Sequence, residues 1–397
     1  MIVLYKNALK LILFGFISKI GSKIFSFACA FYILNNTENS YLYSLYLALV
    51  VLTTVFSTPI AGVFIDKLNN KRLVLYSQLT SVITLGLFAF VYNDNIYLIV
   101  VLGIILNIPD GINGIIIQKN LKEIVTKDFE RIISIRQTIN TVMNFVVPIL
   151  GGVLVGFIPL QLLGAFNLFT EAISILLLQS LPILNHKQVK NKFLPLFKEG
   201  VQYLAKKKNI VLILSTGLIV NFLVNSTSVG VPIIAIQQLK LTSTQFGTLE
   251  SGYTLSIFIV SLILSIYPPK RKVDRYFKLS VIIQVIVLSA LGWFLMFPHS
   301  QTVSFIFFII MNMLLGSSTP ISNIAYSIYL QNQVEAEYKG RVFSLNQAVA
   351  QSIIPISLGI FGLILNKNAG LIYLIVAALM LITLIIFSVL WCKFKFE

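Results

Sequence analysis

Gly62-Val-Phe-Ile-Asp66-Lys67-Leu-Asn-Asn-Lys71-Arg72 lies between two long apolar runs. That setting makes it a short, basic loop joining two membrane-spanning helices on the cytoplasmic side. Gly62 permits close backbone approach near the end of the first helix. Asp66 falls where that helix leaves the membrane, and Lys67, Lys71 and Arg72 hold the loop inside. A plain anchoring loop would carry similar charges, so the surrounding chain has to decide what this one does.

The 397 residues are 57% hydrophobic and 11% charged, with a mean hydropathy of +0.90. Soluble domains carry about 25% charged residues. The chain therefore reads as an integral membrane protein. Its net charge of +16 belongs to the loops of one membrane face rather than to nucleic-acid binding. Cys29 and Cys392 sit in or beside apolar runs and form neither a disulfide framework nor a metal spacing. His186 and His299 fall in predicted loops, which leaves no histidine-based catalytic or metal cluster. Neither an enzymatic constellation nor a cofactor motif is found, and no Gly-x-x-x-x-Gly-Lys-Ser/Thr nucleotide loop occurs. The first apolar run is too long for the core of a cleavable leader.

A helix needs about 20 apolar residues to span a bilayer. Twelve runs qualify: 9–34, 41–65, 72–92, 96–118, 137–157, 161–183, 209–236, 246–267, 277–297, 301–330, 342–366 and 369–392. The seventh and tenth are long, so tilt or a break is expected at Pro232 and Pro320. With both termini inside, the basic residues fall almost wholly on inner segments. Of the 30 Lys and Arg, only Lys240 and Lys367 fall on outer loops, and Lys19 and Lys23 lie within the first run. So lopsided a distribution sets the orientation of a multi-pass protein in the plasma membrane.

An internal repeat divides the chain. Arg131-Ile-Ile-Ser134-Ile-Arg-Gln137 recurs as Arg341-Val-Phe-Ser344-Leu-Asn-Gln347, and Gly152 maps onto Gly362 at the same offset. Each copy opens the fifth helix of a six-helix half, as duplication requires. The expected architecture is an all-α membrane protein of twelve transmembrane helices in two pseudo-symmetric six-helix bundles. Residues 1–183 form the first bundle, 184–208 a cytoplasmic amphipathic linker, and 209–397 the second bundle. In the linker, Phe193, Phe197, Val201 and Leu204 share a helical face flanked by Lys187, Lys190, Lys192 and Lys206 to Lys208. That pattern suits a helix lying on the anionic lipid of the inner leaflet; a solvated linker is the alternative.

Ionisable groups within spanning helices are functional pointers, because each costs about 2.5–3.5 kcal/mol at a helix centre. Five qualify. Lys19 and Lys23 share a face of helix 1, Asp110 lies in helix 4, Glu171 in helix 6, and Glu250 at the outer start of helix 8. A carboxyl group in a low-dielectric cavity exchanges its proton nearer neutral pH, which is what a proton-coupled antiporter requires. Asp110 and Glu250 meet that criterion. A static ion pair fixing helix packing is the competing role for Asp110 with Lys19 or Lys23. Phe16, Phe27, Tyr32, Asn107, Asn140, Asn144, Asn221, Asn225, Asn323 and Gln347 suggest an aromatic, amide-dotted cavity wall suited to a bulky amphipathic ligand. Amides that bond across helices simply to hold them together would look the same.

The spacing Gly62-x-x-x-Asp66-Lys67-x-x-x-Lys71-Arg72 resembles the signature between helices 2 and 3 of the major facilitator superfamily, Gly-x-x-x-Asp-Arg-x-Gly-Arg-Arg. Asn69 takes the place of its second glycine. Pro148-Ile-Leu-Gly151-Gly152 resembles the exporter signature Gly-Pro-x-x-Gly-Gly, with Val147 at the first position. Leu249-Glu250-Ser-Gly252-Tyr, Lys339-Gly340-Arg341-Val-Phe-Ser344 and Leu196-Phe-Lys-Glu199-Gly200-Val-Gln-Tyr203-Leu resemble stretches of its bacterial drug and macrolide efflux permeases. The resemblance implies that helices 1 and 4 line a central cavity and that helix 6 is peripheral, which turns Glu171 away from it. It also implies an inner gate in which Asp66 meets Arg341 at the start of helix 11. The internal repeat suggests a weaker mirror of that latch, Asp274 with Arg131.

Taken together, these features lead to a monomeric secondary active transporter that exports an amphipathic, drug- or macrolide-like molecule by proton antiport with alternating access. Its partners would be that substrate, protons and anionic lipid of the cytoplasmic leaflet. An uptake carrier for an organic anion or metabolite would account directly for Lys19 and Lys23. A lysolipid flippase would account for the basic linker and apolar cavity. A non-transporting membrane sensor is the remaining class.

Overall fold

A computed structural model describes residues 2–37, 39–92, 95–125, 128–184, 199, 201–267, 273–335, 338–365 and 368–395. Helices α1 (Ile2–Thr37), α2 (Ser40–Lys67), α3 (Asn70–Val91), α4 (Ile96–Lys119), the single turn α5 (Leu121–Ile124), α6 (Phe129–Phe157) and α7 (Leu160–Gln179) come first. A short linker helix follows, α8 (201–205). Then come α9 (Lys208–Ile233), α10 (Ser243–Ile266), α11 (Val273–Phe294), α12 (Gln301–Gln333), α13 (Lys339–Ile364) and α14 (Ala369–Lys395). No strand occurs among the described residues. Twelve of these helices are long and apolar enough to cross a membrane.

The repeat read from sequence now has a structural position. Arg131 and Arg341 are each the third residue of their helix, α6 and α13. The basic stretch around Asp66 is mostly helical. Its first residues complete α2, and only Leu68 and Asn69 join it to α3. Asn69, where the family signature has glycine, caps α3 by accepting from the Arg72 backbone N–H at 3.1 Å. An amide at that position satisfies a helix-end donor, which a glycine would leave to solvent. In the seventh span α9 continues through Pro232, and the irregularity expected there follows two residues later, where the helix widens into a π-helical turn at Ile234–Gln238. No break occurs at Pro320, since α12 runs without interruption from Gln301 to Gln333. A proline inside a packed membrane helix is tolerated where neighbours re-satisfy the freed carbonyl.

The chain forms two compact units, Met1–Val189 with Thr242–Ser251, and Lys190–Leu241 with Gly252–Glu397. In the first, α1 packs lengthwise on α7 and α6, α3 on α4 and α7, and α2 on α4. Leu11, Val74, Ile116 and Leu178 meet in its apolar core. The fifth-helix motif is a packing device in this unit. Gly151 receives the Phe27 ring, since a Cβ there would lie 2.9 Å from Cδ1. Gly152 faces Gly247 in the first turns of α10, and a Cβ on either would lie 3.3 Å from the other's Cα and press on a backbone carbonyl. Small residues let membrane helices approach this closely.

In the second unit α9 packs on α13 and α14, and α11 on α12 and α14. The end of the linker is anchored here. Tyr203 is buried, stacks on Tyr338 with centroids 4.3 Å apart and accepts from the Glu335 backbone N–H at 3.2 Å. Lys207 pairs with Glu335 at 3.0 Å, and that hydrogen bond raises its pKa above the ordinary lysine value. Of the expected amphipathic face, Leu204 is buried and Val201 exposed. Phe193, Phe197, Lys187, Lys190 and Lys192 lie outside the described residues.

Gly152→Val should lower the apparent melting temperature of the purified protein, because overpacking of this kind costs about 1–3 kcal/mol. Gly359→Ala, where a Cβ meets no atom within 4 Å, should leave it unchanged or raised. Equal behaviour of the two variants in a thermal size-exclusion assay would refute the close-approach role of Gly152.

Candidate functional site: a charged cavity in the first unit

Membrane helices place few charges inward, so the polar wall of the first unit is informative. A cavity of about 670 Å³ is lined from α1, α4, α6 and α7, with Ser81 and Leu85 of α3 and Tyr46 of α2 closing it. Lys19, Lys23, Asp110, Arg136 and Glu171 all border it. Its size falls within the range of small-molecule sites.

The lysines are held by a ladder. Lys19 Nζ donates to Asn140 Oδ1 at 2.8 Å, and Lys23 Nζ donates to Asn144 Oδ1 at 2.9 Å. Residues four apart share a helix face, so two turns of α1 face two turns of α6 in one register. Each ammonium spends one donor on an amide and keeps two. Asp110 lies within electrostatic reach of Lys19, yet among the described residues neither lysine forms an ion pair with it. The lysines instead face α6, where the two asparagines offer acceptors. Asp110 exposes its side chain to the cavity that it lines.

Glu171 departs from the expectation of a peripheral sixth helix. Here α7 packs against both α1 and α3, which places Glu171 on the cavity wall. Its carboxyl group is buried and accepts from Ser18 Oγ at 2.9 Å and from Gln78 Nε2. Gln78 Oε1 accepts from Asn113 Nδ2 at 2.7 Å, and Asn113 Oδ1 accepts from Ser77 Oγ. Four helices, α1, α3, α4 and α7, are thus tied by one buried polar chain. Buried polar groups stabilise only when satisfied in this way.

Other expected residues lie elsewhere. Glu250 is half-buried in the second turn of α10, interacts electrostatically with Tyr43 and does not border the cavity. Asn107 and Asn140 line the cavity, whereas Phe16, Phe27 and Tyr32 do not. In the second unit Asn225 Nδ2 donates to Asn221 Oδ1 at 2.8 Å, an intrahelical bond of the packing kind. The side chains of Asp66 and Lys67, and the surroundings of Gly62, are outside what the structure describes. Arg131 is exposed and Asp274 half-buried. Arg341 pairs with Glu199 at 3.2 Å and lies over the Tyr338 ring, 5.1 Å from its centroid. Arg136 was missed from sequence because the fifth apolar run opens one residue later, which leaves it among the loop charges. The helix itself begins at Phe129, seven residues earlier, and the stretch Arg136, Asn140, Asn144 at a spacing of four was the available signal.

Twelve apolar helices in two units, with charged side chains turned into a cavity between the helices of one unit, define a multi-pass membrane protein with the build of a transporter. The chain belongs to the major facilitator superfamily, whose profile matches residues 11–359. It is 21% identical over 352 residues to macrolide efflux protein A of Streptococcus pyogenes, covering 86% of this chain and 85% of that one. In fold it is similar to a crystal structure of the nucleoside transporter NupG, with a TM-score of 0.72, 14% identity and coverage of 97% and 99%. It is also similar to an inward-facing bacterial homologue of the iron transporter ferroportin, with a TM-score of 0.73, 17% identity and coverage of 97% and 99%.

Glu171→Leu should destabilise the purified protein by about 2–4 kcal/mol, because it leaves the Ser18 and Gln78 donors buried and unpaired. Glu171→Gln, which keeps an acceptor, should cost less. Thermal unfolding in detergent separates the two, and equal losses would argue against the hydrogen-bonded role.

Proposed function

We propose that this transporter is a secondary active exporter that expels an amphipathic small molecule in exchange for protons, by alternating access. The observation that carries the reading is the charged cavity: Asp110 stands in it without an ion-pair partner among the described residues, beside Lys19. A carboxyl group so placed is able to trade a proton against cargo, whereas a carboxylate locked in a salt bridge is not. Export rather than uptake is supported by the relatives named macrolide efflux protein A. The basic residues on alternate loops support an orientation with both termini cytoplasmic, and the bacterial relatives support a bacterial plasma membrane. The basic linker would contact anionic lipid on that side. Asp66, Arg131, Asp274 and Arg341 belong to the same proposal as residues that control inner access.

An uptake carrier for an organic anion is the second reading, and the three cations that border the cavity favour it. Direction separates the two readings. Cells expressing the protein should accumulate less of a fluorescent amphipathic dye, and a proton uncoupler should abolish the difference. Accumulation that rises on expression would overturn export.

Asp110→Asn should bring uncoupler-sensitive efflux down to the level of cells lacking the protein while leaving its membrane abundance unchanged. Normal efflux by that variant would reduce Asp110 to a packing residue. Asp66→Asn should slow efflux severalfold, within the 5–150-fold span of typical conformational coupling; an unchanged rate would remove Asp66 from the gate.

A further inference from the structure

The ladder between α1 and α6 lacks its third rung. Lys19 meets Asn140 and Lys23 meets Asn144 at a constant separation of 121 residues. One turn earlier the same register sets Gly15 opposite Arg136. Gly15 has no side chain, and a Cβ built there meets no atom within 4 Å. Both residues border the cavity. Among the described residues Arg136 makes no hydrogen bond and no ion pair, and its charge repels that of Lys19. A half-buried guanidinium therefore stands against open space with its donors uncommitted, next to two ammonium groups that each keep two donors.

The other carboxylates do not answer this charge. Glu171 is taken up by Ser18 and Gln78, and Asp110 is the one remaining acid on the wall. Three cations thus face one uncommitted carboxylate. At the matching position of the second unit the repeat places Asn346 where Arg136 stands, and its Oδ1 accepts from Tyr326 at 2.7 Å. The cationic site is a specialisation of one half, not a consequence of the duplicated framework.

We propose that Arg136, with Lys19 and the open side of Gly15, forms a subsite for the carboxylate or phosphate head of an amphipathic organic anion. The guanidinium offers a planar pair of donors that matches such a head bidentately. The apolar part of the ligand lies along Phe14, Leu106 and Ile117, which also line the cavity. The inference rests on the transport reading in that the cavity holds the cargo, and it names the cargo's chemical class. An anionic head arises either on a soluble organic acid or on a lysolipid, and the chemistry of the subsite is common to both.

The test is ligand-dependent thermal stabilisation of the purified full-length protein, read by size-exclusion chromatography after heating. One arm compares benzylpenicillin with its neutral methyl ester; the other compares oleoyl lysophosphatidylglycerol with oleoyl lysophosphatidylcholine. The anionic member should bind about tenfold or more tightly than its partner in at least one arm, and that arm identifies the source. Arg136→Gln should remove the preference, and Arg136→Lys should keep part of it. Gly15→Leu, which fills the open side while keeping every charge, should weaken the anion in a monodisperse protein. Equal stabilisation by both members, or none, in both arms would overturn the proposal, as would a preference that survives Arg136→Gln. Proton-dependent export without an anion preference would sink this inference alone. An anion preference without export would sink the export reading and leave the subsite standing.

Discussion

An ammonium group on a membrane helix has to find an oxygen. That constraint organises the first unit. Lys19 and Lys23 meet it through Asn140 and Asn144, so two charges that oppose insertion become the register between α1 and α6. An amide partner neutralises nothing. It steadies the cation and leaves its charge available, whereas a carboxylate partner would have cancelled it. The polarity of the cavity follows from that choice.

The same logic runs through the buried network. Ser18, Glu171, Gln78, Asn113 and Ser77 link four helices by donors and acceptors used in sequence. In the second unit α11 is tied to α12 by neutral groups: Ser280 donates to the Ser318 carbonyl at 2.8 Å, and Gln284 to Ser318 Oγ at 3.1 Å. The two halves share a helical framework, and the buried acid and the cavity cations stand in the first. Neutral hydrogen bonds suffice to hold helices together. Charges inside a membrane carry an insertion cost that packing alone does not require.

Glycine and aromatic contacts set distances where charge sets register. The pair Gly152 and Gly247 allows backbone-to-backbone contact. Tyr203 stacked on Tyr338 fixes the end of the linker to the segment before α13, and the Arg341–Glu199 pair lies beside it. Arg341, expected at the inner gate, thus has a local partner within the second unit.

Sequence alone determined the membrane class, the twelve spans and the two-half repeat, because each follows from composition, hydrophobic length and charge bias along the chain. It also marked Lys19, Lys23, Asp110 and Glu171, since a charge within an apolar run is visible without coordinates. Partners were not legible. The closeness of Lys19 to Asn140 depends on how α1 lies against α6, more than a hundred residues away. The place of Glu171 depends on α7 packing against α1 and α3. Arg136 shows the limit most clearly. Hydropathy assigned it to a loop because helices extend beyond their apolar stretch, and only the packing of α6 against α1 put it on the cavity wall. Local pattern decides which residues enter the membrane, and helix packing decides what each of them meets there.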